Sequence, residues 1–439
     1  MKYSVERLTI YIKNRLSINE VSGSLGDMGT LLPIILSLSK KKLININSAL
    51  FFGGLFNIIT GVIYDSPIPV QPMKSLASAA LAGNLNSKSL ITSGFLTSLI
   101  VFVLGITNLI TIVSKIIPKY LISAIQMAQG LNFVVQGLTY IKNLNNWNTK
   151  DSYTTSIILG FFIIIKWLPW NDKSSNKILS YTAKVFDKFP IALILFIIGC
   201  IFASIDCKTN ITYKVINPFI PAYQDIKPID FQDGFFKGTI VQLPLTLLNS
   251  CLSVVELNNK LFINNQMSLR SLSSSVGIMN IVGVWFGSIP NCHGSGGLAG
   301  QYKFGARSGL AVIMLGLFKI IVSIFIGNIT LNIITYFPNS ILGLMLMVCG
   351  GELSARGADT LIEQPLIYSL VIGIMINTDL GSGFLVGMAY HLLHMIVEFI
   401  NKKYLIVDQN ENQNENQNEE RSDAEPIQNN NRIEQFVTV

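Results

Sequence analysis

IPNCHGSGGLAGQYKFGARSG, Ile289 to Gly309, interrupts a chain built mostly of long apolar runs. Its glycines, its proline and its histidine make it a poor continuous helix. Its amides and carbonyls would go unsatisfied if lipid surrounded them, because irregular backbone survives at membrane depth only where protein buries it or where it lines a cavity. The stretch therefore reads either as half of a binding site or as small-residue packing between helices.

The rest of the chain sets that choice in a bilayer. Of 439 residues, 50% are hydrophobic and 13% charged, and the mean hydropathy is +0.49. Apolar segments of spanning character recur at Leu90–Val113, Ser156–Leu168, Pro190–Phe202, Leu310–Ile329 and Ile333–Cys349. This pattern predicts an all-α polytopic membrane protein in contact with the lipid bilayer. Residues 1–21 mix charge with scattered apolar residues and lack the apolar core of a signal peptide, so they read as a cytosolic leader or interfacial helix. The net charge of +7 is spread over many short loops, which argues against a nucleic-acid partner. Its distribution, with Lys115, Lys119, Arg270, Lys303 and Arg307 on one side and Lys40, Lys142 and Lys208 on the other, places both termini in the cytosol. Cys200, Cys207, Cys251, Cys292 and Cys349 show no CxxC spacing and read as small buried hydrophobes. Residues 402–439 are rich in Asn, Gln and Glu and are expected to be a disordered cytosolic tail.

Three passages of the first half return in order in the second. GTLLPIILSL (Gly29–Leu38) pairs with GTIVQLPLTLL (Gly238–Leu248), PIPVQPMKSLASAALAG (Pro67–Gly83) with SIPNCHGSGGLAG (Ser288–Gly300), and IPKYLISAIQMAQG (Ile117–Gly130) with FPNSILGLMLMVCG (Phe337–Gly350). The prolines Pro33 and Pro244, Pro69 and Pro290, and Pro118 and Pro338 lie 211, 221 and 220 residues apart. With seven spans in each half, about fourteen in all, the second half is inverted relative to the first, as in secondary transporters. The expected boundaries are 22–210 for the first repeat, 211–232 for the connecting loop and 233–401 for the second repeat. The interrupted third and tenth spans are then discontinuous helices whose half-helix N-termini meet near the midplane. PIPVQPMKS is the second half of the site to which the opening stretch belongs.

INEVSGSLGDMGTLLPIILSL, PIPVQPMKSLA, IQMAQGLNF, PNCHGSGGLAGQYKFGARSG and FPNSILGLMLMVCGGELS together resemble the molybdate transporter family, a branch of the sulfate permease superfamily. The resemblance runs in order from about Ile18 to Leu393. It implies uptake of the oxyanion molybdate, with sulfate as a competitor, and the seven-plus-seven fold of sulfate and nucleobase permeases. In that fold a core bundle of spans one to four and eight to eleven moves against a gate bundle of the remaining spans. The chain lacks the soluble C-terminal domain usual in sulfate permeases, which favours the molybdate branch. A homodimer is compatible with such a fold. The Asn-rich tail suggests a eukaryotic source, with the plasma membrane or an endomembrane such as the vacuole as the location.

A fully ionised tetrahedral dianion offers only acceptors, so its site should supply donors and exclude free carboxylates. The amides near Gln71 to Ser75 and near Cys292 to Gly296, through Gly294, answer that need with two helix dipoles. The Gln71 amide, the Ser75 and Ser295 hydroxyls and the His293 imidazole can complete the shell, and Lys74 supplies its main positive charge. Each has a plainer reading: His293 as a packing histidine, Ser75 and Ser295 as helix caps, Asn291 and Gln301 as partners for freed backbone. Asp27, in the first apolar segment, is either a coupling or gating group or an ion pair with Lys74. Gln126, Gln129, Gln242 and Asn249 face the cavity or bond helix to helix. Lys319 snorkels, pairs across the bundle or touches the substrate. His391 and His394 share a helix face without a third ligand, so no metal is expected, and nothing implies a cofactor. Glu256 and Glu352 read as solvated or paired. No HExxH, GxSG or similar cluster marks an enzyme. The alternatives are a sulfate or nucleobase carrier, and an anion channel of the same fold.

Overall fold

The computed structural model of the chain describes residues 10–81, 83–168, 190–206, 225–326, 336–358, 365–378 and 382–402. The expected connecting loop up to residue 224 and the tail beyond residue 402 lie outside the described residues, as does Cys207. Residues 1–387 form one compact unit, and the described part of the second is the end of a single helix, Ser382–Lys402.

The structure is mostly helical. The elements α1 (Ile18–Ser24) and α2 (Met28–Lys40) are separated by a turn that carries Asp27. Helix α3 (Ile46–Tyr64) starts at Asn45, whose side chain accepts from the Asn47 and Ser48 amides. Pro69 and Pro72 cannot donate to a helical ladder, and here the chain runs extended as β1 (Val70–Pro72) before α4 (Lys74–Leu81) begins. Helix α5 (Ser87–Ile106) follows, then α6 (Leu109–Ile116), α7 (Lys119–Lys142), α8 (Tyr153–Trp167) and α9 (Ile191–Asp206). Between α6 and α7 the axis turns by 88° at Pro118.

From Pro228 to Leu261 the chain winds through α10 (Pro228–Gly234), a π turn at Phe235–Thr239, α11 (Ile240–Leu245), a second π turn at Thr246–Leu252 and α12 (Ser253–Leu261). Pro244 stands inside α11, and the wide turns surround the place where its missing N–H and its ring would strain a regular helix. Then come α13 (Leu269–Gly283), β2 (Asn291–His293), α14 (Ser295–Lys303), α15 (Gly309–Ile321), α16 (Asn339–Gly357) and α17 (Pro365–Asn377).

The two strands pair antiparallel, Val70 with His293, Gln71 with Cys292 and Pro72 with Asn291. An asparagine on the preceding helix steadies each: Asn57 Oδ1 accepts from Val70 N at 2.6 Å, and Asn280 Oδ1 accepts from Asn291 N at 2.7 Å. Asn280 Nδ2 also donates to the Asn291 carbonyl, at 2.7 Å. These bonds satisfy backbone that a continuous helix would have satisfied internally.

Elements that the repeat relates by about 221 residues contact each other reciprocally. Helix α3 packs on α15, while their counterparts α13 and α5 pack on one another, and α7 packs on its own counterpart α16. Glycines seven residues apart line these seams: Gly54 and Gly61 face Gly316 and Gly309, and Gly130 and Gly137 face Gly350 and Gly343. A Cβ on Gly54 would lie 2.6 Å from the Gly316 carbonyl oxygen, and one on Gly343 would lie 2.7 Å from that of Gly137. Apolar side chains gain little by exchanging lipid for protein, so this close backbone approach is what distinguishes the helix interfaces.

Among the described residues, Ile46–Tyr64, Ser87–Ile106 and Ser382–Lys402 are each long and apolar enough to cross a membrane. Two bent pairs, Leu109–Ile116 with Lys119–Lys142 and Pro228–Thr239 with Gln242–Leu261, reach that length together.

Candidate functional site

Where β1 and β2 give way to α4 and α14 lies a cavity of about 40 Å³. Its wall is formed by Gln71, Lys74, Ser75, Gln129, Gln242, Leu245, Asn249, Ser250, Cys292 and Gly294. One water needs roughly 10–15 Å³ on this measure, so the space is that of a few waters or a compact ion. Among the described residues the wall carries an ammonium, hydroxyls and carboxamides, and no carboxylate. Both helix starts reach it, through Lys74 and Ser75 of α4 and through Gly294, the residue before α14. First-turn amides have no acceptor within their own helix, so both ends present positive potential.

Strand register decides which break residues face inward. Residues opposite one another in an antiparallel pair point to the same side, and Gln71 and Cys292 both line the cavity. Gly294, two residues on, joins them. His293 points the other way: Nε2 lies 3.2 Å from Ser275 Oγ, and the ring meets Tyr64 edge-on at 6.3 Å between centroids. It lies outside the cavity wall.

The remaining sequence-selected residues act from behind the wall. Ser295 Oγ donates to Asn249 Oδ1 at 2.7 Å, which leaves the Asn249 amide nitrogen for another partner. Gly296 makes room for the Phe133 ring, into which a Cβ would collide, and Gly297 makes room for the Gln71 side chain. The Lys74 ammonium rests 3.9 Å from the centroid of the same Phe133 ring, a cation–π contact that holds the charge beside the cavity. Gln126 Nε2 donates to the Ser253 carbonyl at 3.2 Å and is not part of the wall.

Asp27 is fully buried. Its Oδ1 accepts from Thr30 Oγ1 and from Gln71 Nε2, while its Oδ2 and Gln71 Oε1 have no hydrogen-bond partner among the described residues. Lys319 does not snorkel: it is 2% exposed, and Nζ donates to the Val70 carbonyl at 3.3 Å, pairing α15 with the break. Asn291 and Gln301 serve backbone, Asn291 Nδ2 donating to the Ile289 carbonyl at 2.7 Å and Gln301 Nε2 to that of Ser24 at 3.4 Å. Glu256 pairs with Lys260 and Glu352 with Lys303, at 3.6 and 3.1 Å.

Gln129, Gln242, Leu245 and Ser250 complete the wall. Gln242, Leu245 and Asn249 follow at i, i+3 and i+7, a one-face spacing legible in QLPLTLLN. Ser250 carries no such signal; it joins Asn249 on the wall within the Thr246–Leu252 π turn. Gln242 Oε1 accepts from Leu76 N at 3.2 Å, joining the polar face of this run to the first turn of α4.

This mostly helical fold has counterparts among solved membrane transporters. The murine Solute Carrier 26 family member A9 anion transporter in the inward-facing state aligns with a TM-score of 0.57 at 15% identity, over 88% of this chain and 69% of that one. The transmembrane domain of a cyanobacterium bicarbonate transporter, BicA, aligns at 0.50 and 13%, over 84% and 96%. A second SLC26A9 structure aligns at 0.56 and 16%, and the chain spans 66% of its length. The chain thus shares the fold of these solved transporters.

Sequence relatives are more specific. The family described as "Molybdate transporter of MFS superfamily" matches residues 19–133 and 234–353. Molybdate transporter 1 of Arabidopsis thaliana is 34% identical over 409 residues, covering 87% of this chain and 89% of that protein. Molybdate transporter 2 of the same plant is 35% identical over 418 residues, covering 88% and 89%. The chain belongs to the molybdate transporter family.

Proposed function

We propose that this chain carries molybdate across its membrane by alternating access, with the anion held in the cavity at the starts of α4 and α14. The observation that carries this reading is the wall itself, in which Lys74, hydroxyls and carboxamides surround a space of about 40 Å³ without a carboxylate. A dianion that can only accept hydrogen bonds finds donors and a positive charge there.

The architecture we propose is two inverted halves of seven spans, with β1–α4 and β2–α14 as the discontinuous third and tenth. Its support is the reciprocal packing of α3 on α15 and α13 on α5, together with a strand register that makes Gln71 and Cys292, 221 residues apart, partners of one another. This is the contact pattern of a two-fold relation. Gln129, from α7 in the expected gate bundle, closes the cavity against the core elements, so a shift between bundles opens or seals the site. Both termini face the cytosol.

The test is uptake of molybdate at nanomolar concentration into cells lacking their own transporter, with excess sulfate as competitor. Saturable uptake that resists sulfate is expected. Strong competition by sulfate moves the assignment to a sulfate carrier, and unsaturable flux moves it to a channel.

A further inference from the structure

Behind the cavity, two buried acceptors lack donors, and they belong to side chains already bonded to one another. Gln71 Nε2 donates to Asp27 Oδ1, yet Gln71 Oε1 and Asp27 Oδ2 each have no hydrogen-bond partner among the described residues. Both residues are at most 1% exposed. Two orphaned buried acceptors carry a desolvation penalty that a single proton on Oδ2 relieves at both ends, because a carboxylic acid and a carboxamide can exchange two reciprocal hydrogen bonds.

The local charge points to the same proton. The titratable groups that act on Asp27 are the Lys319 ammonium of α15 and the Lys74 ammonium of α4, with the Cys292 thiol of β2 alongside. Glu20 on the neighbouring α1 is bonded to Arg307 N and Ser308 N, and Glu352 on α16 pairs with Lys303. Two ammonium groups and one carboxylate sum to +1, and a bound dianion brings the buried cluster to −1. Protonation of Asp27 brings it to zero, the state least penalised in a low-dielectric interior.

We infer that Asp27 is a proton-carrying group, bound to Gln71 as a carboxylic acid in the loaded state, so that one proton crosses with each molybdate. This rests on the reading of the cavity as the molybdate site. The proton is taken onto Asp27 Oδ2 from the side on which molybdate enters and is released to the other side with the anion. Gln71 lines the cavity while Asp27 stands behind it, so the amide links the proton to the anion without direct contact between them. Lys319, tied to the Val70 carbonyl, is the fixed second cation of the balance.

The experiment uses the full chain in proteoliposomes that trap a pH-sensitive dye, with labelled molybdate. Molybdate counterflow needs no gradient and reads carriage itself; its absence would overturn the proposed function, and the proton site with it. With counterflow present, net uptake into molybdate-free vesicles is expected to bring in one proton per molybdate, and an inward acid gradient should concentrate molybdate severalfold. Net molybdate uptake without proton entry overturns the coupling alone. Asp27→Asn keeps the neutral charge and the donor–acceptor pattern of the acid. It is expected to show counterflow and no gradient-driven accumulation. If it still concentrates molybdate in response to acid, or if it binds molybdate in a thermal-shift assay yet fails in counterflow, Asp27 is not the proton site. Should Asp27→Asn fail to fold, the wild-type proton count decides.

Discussion

Ser295, the first residue of α14, donates its hydroxyl to Asn249 Oδ1 at 2.7 Å, across 46 residues of chain. The bond turns the Asn249 oxygen away from any anion and leaves the amide nitrogen as its donor. A break residue thus positions a donor on the facing helix run.

Ser295→Ala should therefore raise the apparent Michaelis constant for molybdate about fivefold, the equivalent of one hydrogen bond of about 1 kcal/mol. Ser295→Thr, which keeps the hydroxyl, should restore most of it. Asn249→Asp should abolish uptake by placing a carboxylate on the wall. Uptake normalised to transporter at the membrane checks all three.

Lys74 lies against Phe133 and beside the cavity. Lys74→Gln should raise the Michaelis constant by tenfold or more, or abolish uptake, and adding Asp27→Asn should not restore it. If Lys74 served only to balance Asp27, the double variant would recover, since no buried charge would then be left uncompensated. The two single variants and the double, compared at equal surface expression, distinguish these outcomes.

Two classes of glycine should behave differently. Gly54→Val drives a side chain into the Gly316 backbone and should reduce the amount of protein at the membrane. Gly296→Ala pushes instead on the Phe133 ring and should cut uptake per transporter about tenfold at near-normal abundance, an overpacking cost of about 1–3 kcal/mol falling on the site. Surface labelling alongside uptake separates them, and parallel loss of both signals for Gly296→Ala would return that glycine to plain helix packing.

The N-terminal segment is fastened to the start of α15. Glu20 accepts from Arg307 N and Ser308 N, both at 2.9 Å, and from Ser308 Oγ at 2.6 Å. Glu20→Ala should lower thermal stability in detergent by about 1–3 kcal/mol, the penalty for stranding buried donors. Nearby, Tyr11 Oη donates to Asp65 Oδ1 at 2.7 Å, and burial, aided by Asp65, pushes the phenol up to about 12. A raised value means that this contribution is full below the ordinary phenol range near 10 and is lost as pH climbs through about 12. The melting difference between wild type and Tyr11→Phe should stay constant from pH 6 to 9.

The sequence by itself determined that the chain is a helical membrane protein, where its helices break and which passages repeat. Those follow from local chemistry: apolar runs, the missing donors of Pro69, Pro72 and Pro290, and glycines where backbones meet. It also marked Lys74 and Ser75 through their place in PVQPMKS, and Asn249 as a polar residue within an apolar span. Which side chains look into the cavity was decided only by tertiary structure. His293 and Cys292 are neighbours in sequence, and a two-residue strand period sends them to opposite sides once Gln71 pairs with Cys292. Gln71 is held by Asp27, Phe133 occupies the space left by Gly296, and Lys319 reaches the Val70 carbonyl. Each of these partners lies 44 to 249 residues away along the chain or on a different helix. The direction of a polar side chain in a dry interior is set by where its hydrogen-bond partner stands, and only the folded chain brings that partner near.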